Sequence, residues 1–344
     1  MTAVQFDNVS IIFGNDPGRA LAMADKGKTR DEISAETGLV LGVANASLDI
    51  KEGEILVLMG LSGSGKSTLL RAVNALAPVV RGEVKVFSGG NTTNPYKCTG
   101  QNLRDLRMHT VSMVFQQFAL LPWRTVAENV GFGLELAGVS EPERKKRVGE
   151  QLELVNLSKW ADRKVQELSG GMQQRVGLAR AFATGAPILL MDEPFSALDP
   201  LIRTRLQDEL LEFQRRLKKT ILFVSHDLDE AFRIGNRIAI MEGGRIVQCG
   251  TPQDIVRNPI NQYVADFVQN LNPINMLTAA DVMRPGTDLS ATVSGTATPD
   301  ARLVDVLDAM ARQPGVVGVV DNGNVVGVIS AQDVVNGLTR HRKM

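Results

Sequence analysis

Gly60-Leu61-Ser62-Gly63-Ser64-Gly65-Lys66-Ser67-Thr68 is the stretch on which the fold turns. It follows an apolar, strand-sized run over residues 54–59 and leads into a helical pattern over residues 66–76. A glycine-rich turn between strand and helix lets several backbone N–H groups point at one anion, and the helix adds the positive end of its dipole. Lys66 is then expected to reach the β- and γ-phosphates of a nucleotide, and Ser67 to place its hydroxyl on Mg²⁺. Gly60, Leu61, Ser62, Gly63, Ser64, Gly65 and Thr68 complete the cradle. An unliganded strand–helix turn is the bland alternative, and the flanking strand and helix speak against it.

Outward from this loop, residues 188–193 form an apolar strand ending in Asp192 and Glu193. Such a strand buries its body and delivers its acids at the carboxyl end, where α/β sheets keep their ligands. Asp192 is expected to hold Mg²⁺ and Glu193 to polarise an attacking water. Gln116 closes a short β-type run over residues 111–115, and its amide suits the metal or the water. His226 follows the apolar run 221–225 and is one of only three histidines, placed to contact the γ-phosphate. Phosphoryl transfer asks for just these parts: an in-line water, neutralised charge and a closed site.

Strand-sized runs at residues 4–13, 48–50, 54–59, 111–115, 188–191, 221–225 and 238–241 alternate with helical stretches. That order implies an α/β fold with a mostly parallel sheet. Residues 16–37 read as a polar, Ala-rich segment with a short helix around 20–28, and residues 126–165 as helical. After residues 270–273 the chain becomes Val-rich, with a helix over 303–313 and two strands around Asp321-Asn322-Gly323, an Asn-Gly hairpin turn.

Composition narrows the function. Thirty-eight basic residues balance thirty-eight acidic ones, which argues against nucleic acid as a partner. Cys98 and Cys249 are the only cysteines and lack metal-site spacing, as expected of a chain in a reducing compartment. No apolar run reaches membrane-spanning length, so any pore belongs to other subunits.

At Leu168-Ser169-Gly170-Gly171-Met172-Gln173-Gln174-Arg175 the chain resembles the signature sequence of ABC ATPases. With the phosphate loop, Gln116, Asp192-Glu193, Asp199 and His226 in their expected order, the resemblance spans residues 4–268. It implies an ABC-type P-loop ATPase domain, a RecA-like core plus helical subdomain, over 1–270, with the subdomain at about 117–178. It further implies a homodimer in which Leu168, Ser169, Gly170, Gly171 and Gln173 of one copy close over ATP held by the other. Asp199 would couple the two sites, and Phe13 would stack on the adenine. A single Phe at a strand end also suits a core.

The insertion over residues 20–43, with residues 115–122 and 191–203, is similar to importers of quaternary-ammonium osmolytes: glycine betaine, proline betaine, carnitine and choline. The wording resembles most the choline importer ATPases, with Trp123 standing where His is more usual. This implies integral membrane permease subunits and, indirectly, a solute-binding protein as partners, and a peripheral place on the cytoplasmic face of a bacterial inner membrane. Residues 277–344 resemble a single CBS repeat, a small C-terminal α+β domain ending in the basic tail 340–343. One repeat cannot form the usual intramolecular pair, so two copies are expected to pair across the dimer. Two other classes stay open at this point: a soluble ABC ATPase working on DNA or ribosomes, and a nucleotide-sensing module.

Overall fold

The computed structural model describes residues 1–116, 119–196, 198–269, 274, 277–286, 293–312 and 315–341. The chain divides into two compact units, Met1–His226 with Asn236–Cys249, and Asp227–Gly235 with Gly250–Met344. The junction at 270–273 and the last three residues of the basic tail, 342–344, lie outside the described residues.

In the first unit, β1 (Thr2–Phe13) leads to two short helices, α1 (Gly18–Asp25) and α2 (Arg30–Thr37), and returns as β2 (Val40–Lys51). Then come β3 (Ile55–Met59), α3 (Lys66–Ala72), β4 (Val79–Ser88), β5 (Asn91–Thr93), α4 (Gly100–Asp105) and β6 (Val111–Val114). The helical subdomain holds α5 (Val126–Leu136), α6 (Glu141–Leu154) and α7 (Gly170–Ala183) around its own core of Val130, Leu134, Leu152 and Val176. β7 (Ile188–Asp192), α8 (Pro200–Leu217), β8 (Thr220–Val224), β9 (Arg237–Glu242) and β10 (Arg245–Gly250) complete it.

The main sheet runs β10-β9-β3-β8-β7-β6. Its β3–β9, β3–β8, β8–β7 and β7–β6 pairings are parallel, and β3, β7 and β8 are buried at every position. Continuous apolar strands of this kind are what a parallel sheet covered on both faces requires. The expectation of a mostly parallel sheet needs one correction. β1 belongs to a separate antiparallel sheet, β2-β1-β4-β5. Its strands β4 and β5 follow α3, which stops at Ala72 rather than near residue 76, with Ala75 at φ 54° turning the chain back. The expected strand at 48–50 starts eight residues earlier, at Val40.

Residues 16–37 carry two helices where one was expected. α2 is capped at both ends: Thr29 and Glu32 form a reciprocal capping box, and Gly38 at φ 70° closes the helix. Ile33 is fully buried with Ile12, Ala20, Ala24 and Leu41, which seats the insertion on β1 and β2.

The second unit contains α9 (Leu228–Ile234), α10 (Pro252–Arg257), α11 (Gln262–Val268) and the C-terminal module. That module has α12 (Ala279–Val282), β11 (Arg284–Pro285), β12 (Val293–Ala297), α13 (Leu303–Arg312), β13 (Val316–Asp321), β14 (Asn324–Ile329) and α14 (Ala331–His341). Its sheet runs β11-β14-β13-β12 over a core of Leu277, Leu303, Val306, Val317, Val319 and Ile329. Asn322 and Gly323 both take positive φ, as a type I′ hairpin turn needs. β12, ahead of the helix over Leu303–Arg312, pairs parallel to β13.

Asp333 holds the start of α14. Its Oδ2 accepts from the Ser330 amide at 2.8 Å and the Ser330 hydroxyl at 2.6 Å, and its Oδ1 lies 2.8 Å from Arg284 Nε. Burial works to raise its pKa, but the Ser330 donors and Arg284 outweigh this and hold the carboxyl below its ordinary value. Such a group stabilises the fold above its unfolded pKa, near ~3.9, and loses that contribution as pH falls through the folded value. Asp333→Ala is therefore expected to cost about 1–3 kcal/mol of this module's stability at pH 7. In urea unfolding the gap between variant and parent should narrow towards pH 3; a gap independent of pH would contradict this account.

Candidate active site

The glycines of the loop over residues 60–68 take conformations closed to other residues. Gly60 sits at φ 142°, where an added Cβ would stand 2.1 Å from the Met241 carbonyl oxygen. Gly65 sits at φ 100°, where one would stand 2.4 Å from the Gly42 carbonyl oxygen. The Gly244 amide donates to the Ser64 carbonyl at 3.1 Å, and the Ala44 amide to the Gly244 carbonyl at 2.8 Å. The loop is thus stitched to β2 and to the turn between β9 and β10. Lys66 opens α3 and is buried. Its Nζ donates to the carbonyls of Gly60 at 2.9 Å and Leu61 at 3.0 Å. Burial lowers its pKa, while the nearby charges of Glu193 and Asp192 pull the other way. Two neutral carbonyls are weaker partners for an ammonium than phosphate oxygens, so the cation is held ready for exchange.

Parallel register gathers the candidate catalytic groups. Val114 pairs with Met191, and Asp192 with Val224. Gln116, two residues beyond β6, therefore falls level with Glu193 beyond β7, and His226 comes one step further beyond β8. Gln116 Nε2 donates to Glu193 Oε2 at 3.0 Å, and His226 Nδ1 lies 3.1 Å from the same oxygen. Glu193 reaches them from a left-handed backbone, φ 47°, held by its amide donating to the Val224 carbonyl at 3.1 Å. Such a conformation is uncommon for a side chain of this size and marks a position set by surrounding structure.

Asp192 ends β7 fully buried. Its Oδ1 accepts from Ser67 Oγ at 2.6 Å and its Oδ2 from Arg71 Nη2 at 2.8 Å. Sequence reasoning missed Arg71, although its place four residues after Ser67 puts both on one face of α3. Among the described residues no cluster of three or more His, Cys, Asp or Glu side chains could hold a metal. Ser67 and Asp192 instead offer hard oxygens side by side. That suits a divalent cation such as Mg²⁺ whose other ligands come from phosphate and water.

A cleft of about 410 Å³ joins Ser62, Gly63, Gly65, Lys66, Ser67 and Thr68 to Gln116, Glu193 and His226. Arg30, from α2, also lines it and was not foreseen. Its signal was the Thr29–Glu32 capping box, which starts a helix there. Other expected residues stay apart from this cleft in one chain. Ser169 stands at the start of α7 without a capping bond from its side chain, Gly170 is open to solvent, and Gly171 faces Leu198. Gln173 Nε2 donates to the Leu168 carbonyl at 3.0 Å and the Val165 carbonyl at 3.1 Å, which shapes the buried Leu168 turn. Asp199 caps α8, its Oδ1 accepting from the Ile202 amide at 3.0 Å. Phe13 is exposed at the end of β1; a Cβ on Gly42 would lie 3.0 Å from both its ring and the Thr68 methyl, so the two flank one point.

The ABC transporter family pattern matches residues 43–196, and the CBS domain pattern residues 279–340. The glycine betaine/proline betaine transport system ATP-binding protein ProV of Salmonella typhimurium is 49% identical over 281 residues, covering 82% of this chain and 69% of that one. The trimethylamine N-oxide transport system ATP-binding protein TmoW of Ruegeria pomeroyi is 43% identical over 340 residues, 97% of this chain and 96% of that one. Among solved structures, a bacterial ABC transporter cassette determined as a dimer superposes with a TM-score of 0.61 at 31% identity, over 72% of this chain and 98% of that one. The phosphate loop, the convergent Gln116, Glu193 and His226, and these matches together make the chain a member of the ABC transporter family, an ATP-binding ATPase subunit with a CBS domain, homologous to the betaine and trimethylamine N-oxide transport ATPases.

Proposed function

We propose that this chain hydrolyses ATP to drive import of a small methylated amine through separate integral membrane permease subunits. It works as a homodimer, peripheral on the cytoplasmic face of the membrane, with a solute-binding protein delivering the cargo outside. The observation that carries this reading is the meeting of Gln116 and His226 on one carboxylate oxygen of Glu193, beside the phosphate loop. No helix among the described residues is long and apolar enough to cross a membrane, so the pathway belongs to partners.

In this reading, residues 1–270 act as the motor. Lys66 leaves its loop carbonyls for the β- and γ-phosphate oxygens, and the loop amides hold the rest of the chain of phosphates. Ser67, Asp192 and Gln116 would hold Mg²⁺, which when bound would neutralise charge on the phosphate oxygens. Glu193 polarises the attacking water, and His226 contacts the γ-phosphate and orients that water towards it. Ser169, Gly170 and Gly171 complete the site from the second copy, with Leu168 and Gln173 shaping their turn, and Asp199 links the two sites. Support comes from the open start of α7 and from the related cassette determined as a dimer.

The cargo is a methylated amine by relationship, since the relatives above are named for betaine and trimethylamine N-oxide transport. Choline is the finer reading, supported by the likeness of wording around the insertion. Residues 277–344 serve as a regulatory or dimer-holding module that pairs between copies.

Glu193→Gln is expected to lower ATP turnover by about 10²–10⁴-fold while ATP binding persists. Adding ATP to that variant should shift it to a dimer on size-exclusion chromatography; brisk hydrolysis would remove Glu193 from its role. Lys66→Ala should weaken ATP binding itself, read by isothermal titration, and an unchanged affinity would count against the loop. Removing residues 277–344 should abolish osmotic or nucleotide control of uptake in vesicles carrying the whole transporter, and intact control would discard the regulatory role.

A further inference from the structure

The insertion between β1 and β2 has no part in the chemistry above, yet it delivers a cation to the phosphate cleft. Arg30 is the first residue of α2 and lines the same cleft as Lys66, Glu193 and His226. A Cβ placed on Gly63 of the phosphate loop would lie 3.8 Å from Arg30 Nη1. Among the described residues the guanidinium makes no hydrogen bond and no ion pair. Burial depresses its pKa, with neighbouring Asp31 opposing. A half-buried, unpaired guanidinium is costly unless something anionic completes it.

Its placement is built in rather than accidental. Arg30 and Ile33 are one helical turn apart and share a face of α2. Ile33 is fully buried against Ile12 and Leu41, so its anchoring turns Arg30 inwards. The Thr29–Glu32 box fixes where the helix begins, and the Lys28–Glu32 pair at 2.8 Å engages the Glu32 carboxylate. Glu32 is thereby engaged, Asp31 acts on Arg30 without pairing with it, and the guanidinium lines the cleft beside the loop.

We propose that Arg30 is a nucleotide ligand of the same subunit, donating to phosphate oxygens of ATP held on the loop beside Gly63. The insertion thus adds a second cation to the site, opposite Lys66. A guanidinium presents a planar fork of donors that matches phosphate oxygens, which an ammonium at the same place would match less well. This inference rests on the reading of residues 60–68 as the ATP site.

The test measures binding of ATP and of AMP to the full chain by isothermal titration, for the parent, Arg30→Ala, Arg30→Lys and Arg19→Ala. Arg19 lies on the same insertion with an exposed side chain and controls for loss of charge alone. Arg30→Ala is expected to weaken ATP binding by about tenfold. AMP binding should change less, Arg30→Lys should recover part of the loss, and Arg19→Ala should leave both affinities as they were. Thermal unfolding without nucleotide should show the same midpoint for parent and Arg30→Ala, which separates lost contact from lost fold. Unchanged ATP affinity in Arg30→Ala, with the parent binding normally, would overturn the role of Arg30 alone. Equal losses for ATP and AMP, or a matching loss in Arg19→Ala, would overturn it too. Failure of the parent to bind ATP would instead overturn the site reading together with this inference.

Discussion

Asp192 is a carboxylate with no access to water at the end of a wholly apolar strand. A charge in that position must be matched on both oxygens, and the two partners it finds, Ser67 and Arg71, stand on the same face of α3. This pairing sets the distance between the strand that carries the acids and the helix that follows the phosphate loop. Breaking either bond leaves a buried anion partly unmatched. It would also loosen the loop from Glu193, one residue further along. The rest of the site inherits its geometry from that tie: β6 and β8 flank β7 in parallel register, so Gln116 and His226 arrive at whatever height Asp192 fixes for Glu193.

How much of this was legible in the residues depends on the range of the interaction involved. The phosphate loop, the acidic strand end and the hairpin at Asn322-Gly323 are local: their glycines and apolar runs state the conformation they need. The capping box of Thr29 and Glu32 is local too, and could have announced α2. Arg71 was a matter of helical spacing from Ser67. What residues alone could not show is pairing across the chain. That β1 and β4 lie together in a sheet apart from β3 follows from contacts some seventy residues distant in sequence. β12 lay hidden for the same reason, since Gly and Ser within Val293–Ala297 give it little strand character by itself, and its partner β13 supplies the pairing.

The starts of α7 and α8 in the first unit are finished in different ways. α7 begins with Ser169 offering no side-chain bond to its own first turn, and with Gly170 free of any neighbour that a Cβ would meet. An uncapped, glycine-lined helix start of fourteen residues leaves amide donors facing outwards, where an anion is the natural complement. Asp199 differs, because its carboxylate already caps α8, and any contact it makes across a dimer must coexist with that bond or compete with it.

The insertion supplies an argument about where cations are tolerated. Lys66 is buried and rests on carbonyls, a lodging that satisfies its donors without neutralising its charge. Arg30 approaches from the opposite strand pair, seated by Ile33, and is not neutralised by a carboxylate among the described residues. The two cations line one cleft together with Glu193, and each is anchored through a separate apolar element: β3 and α3 for Lys66, the small core under α2 for Arg30. In the proposed role of Arg30, a polyphosphate gains from both cations at once. Ligand charge, rather than ligand size, is then the quantity to which the cleft responds.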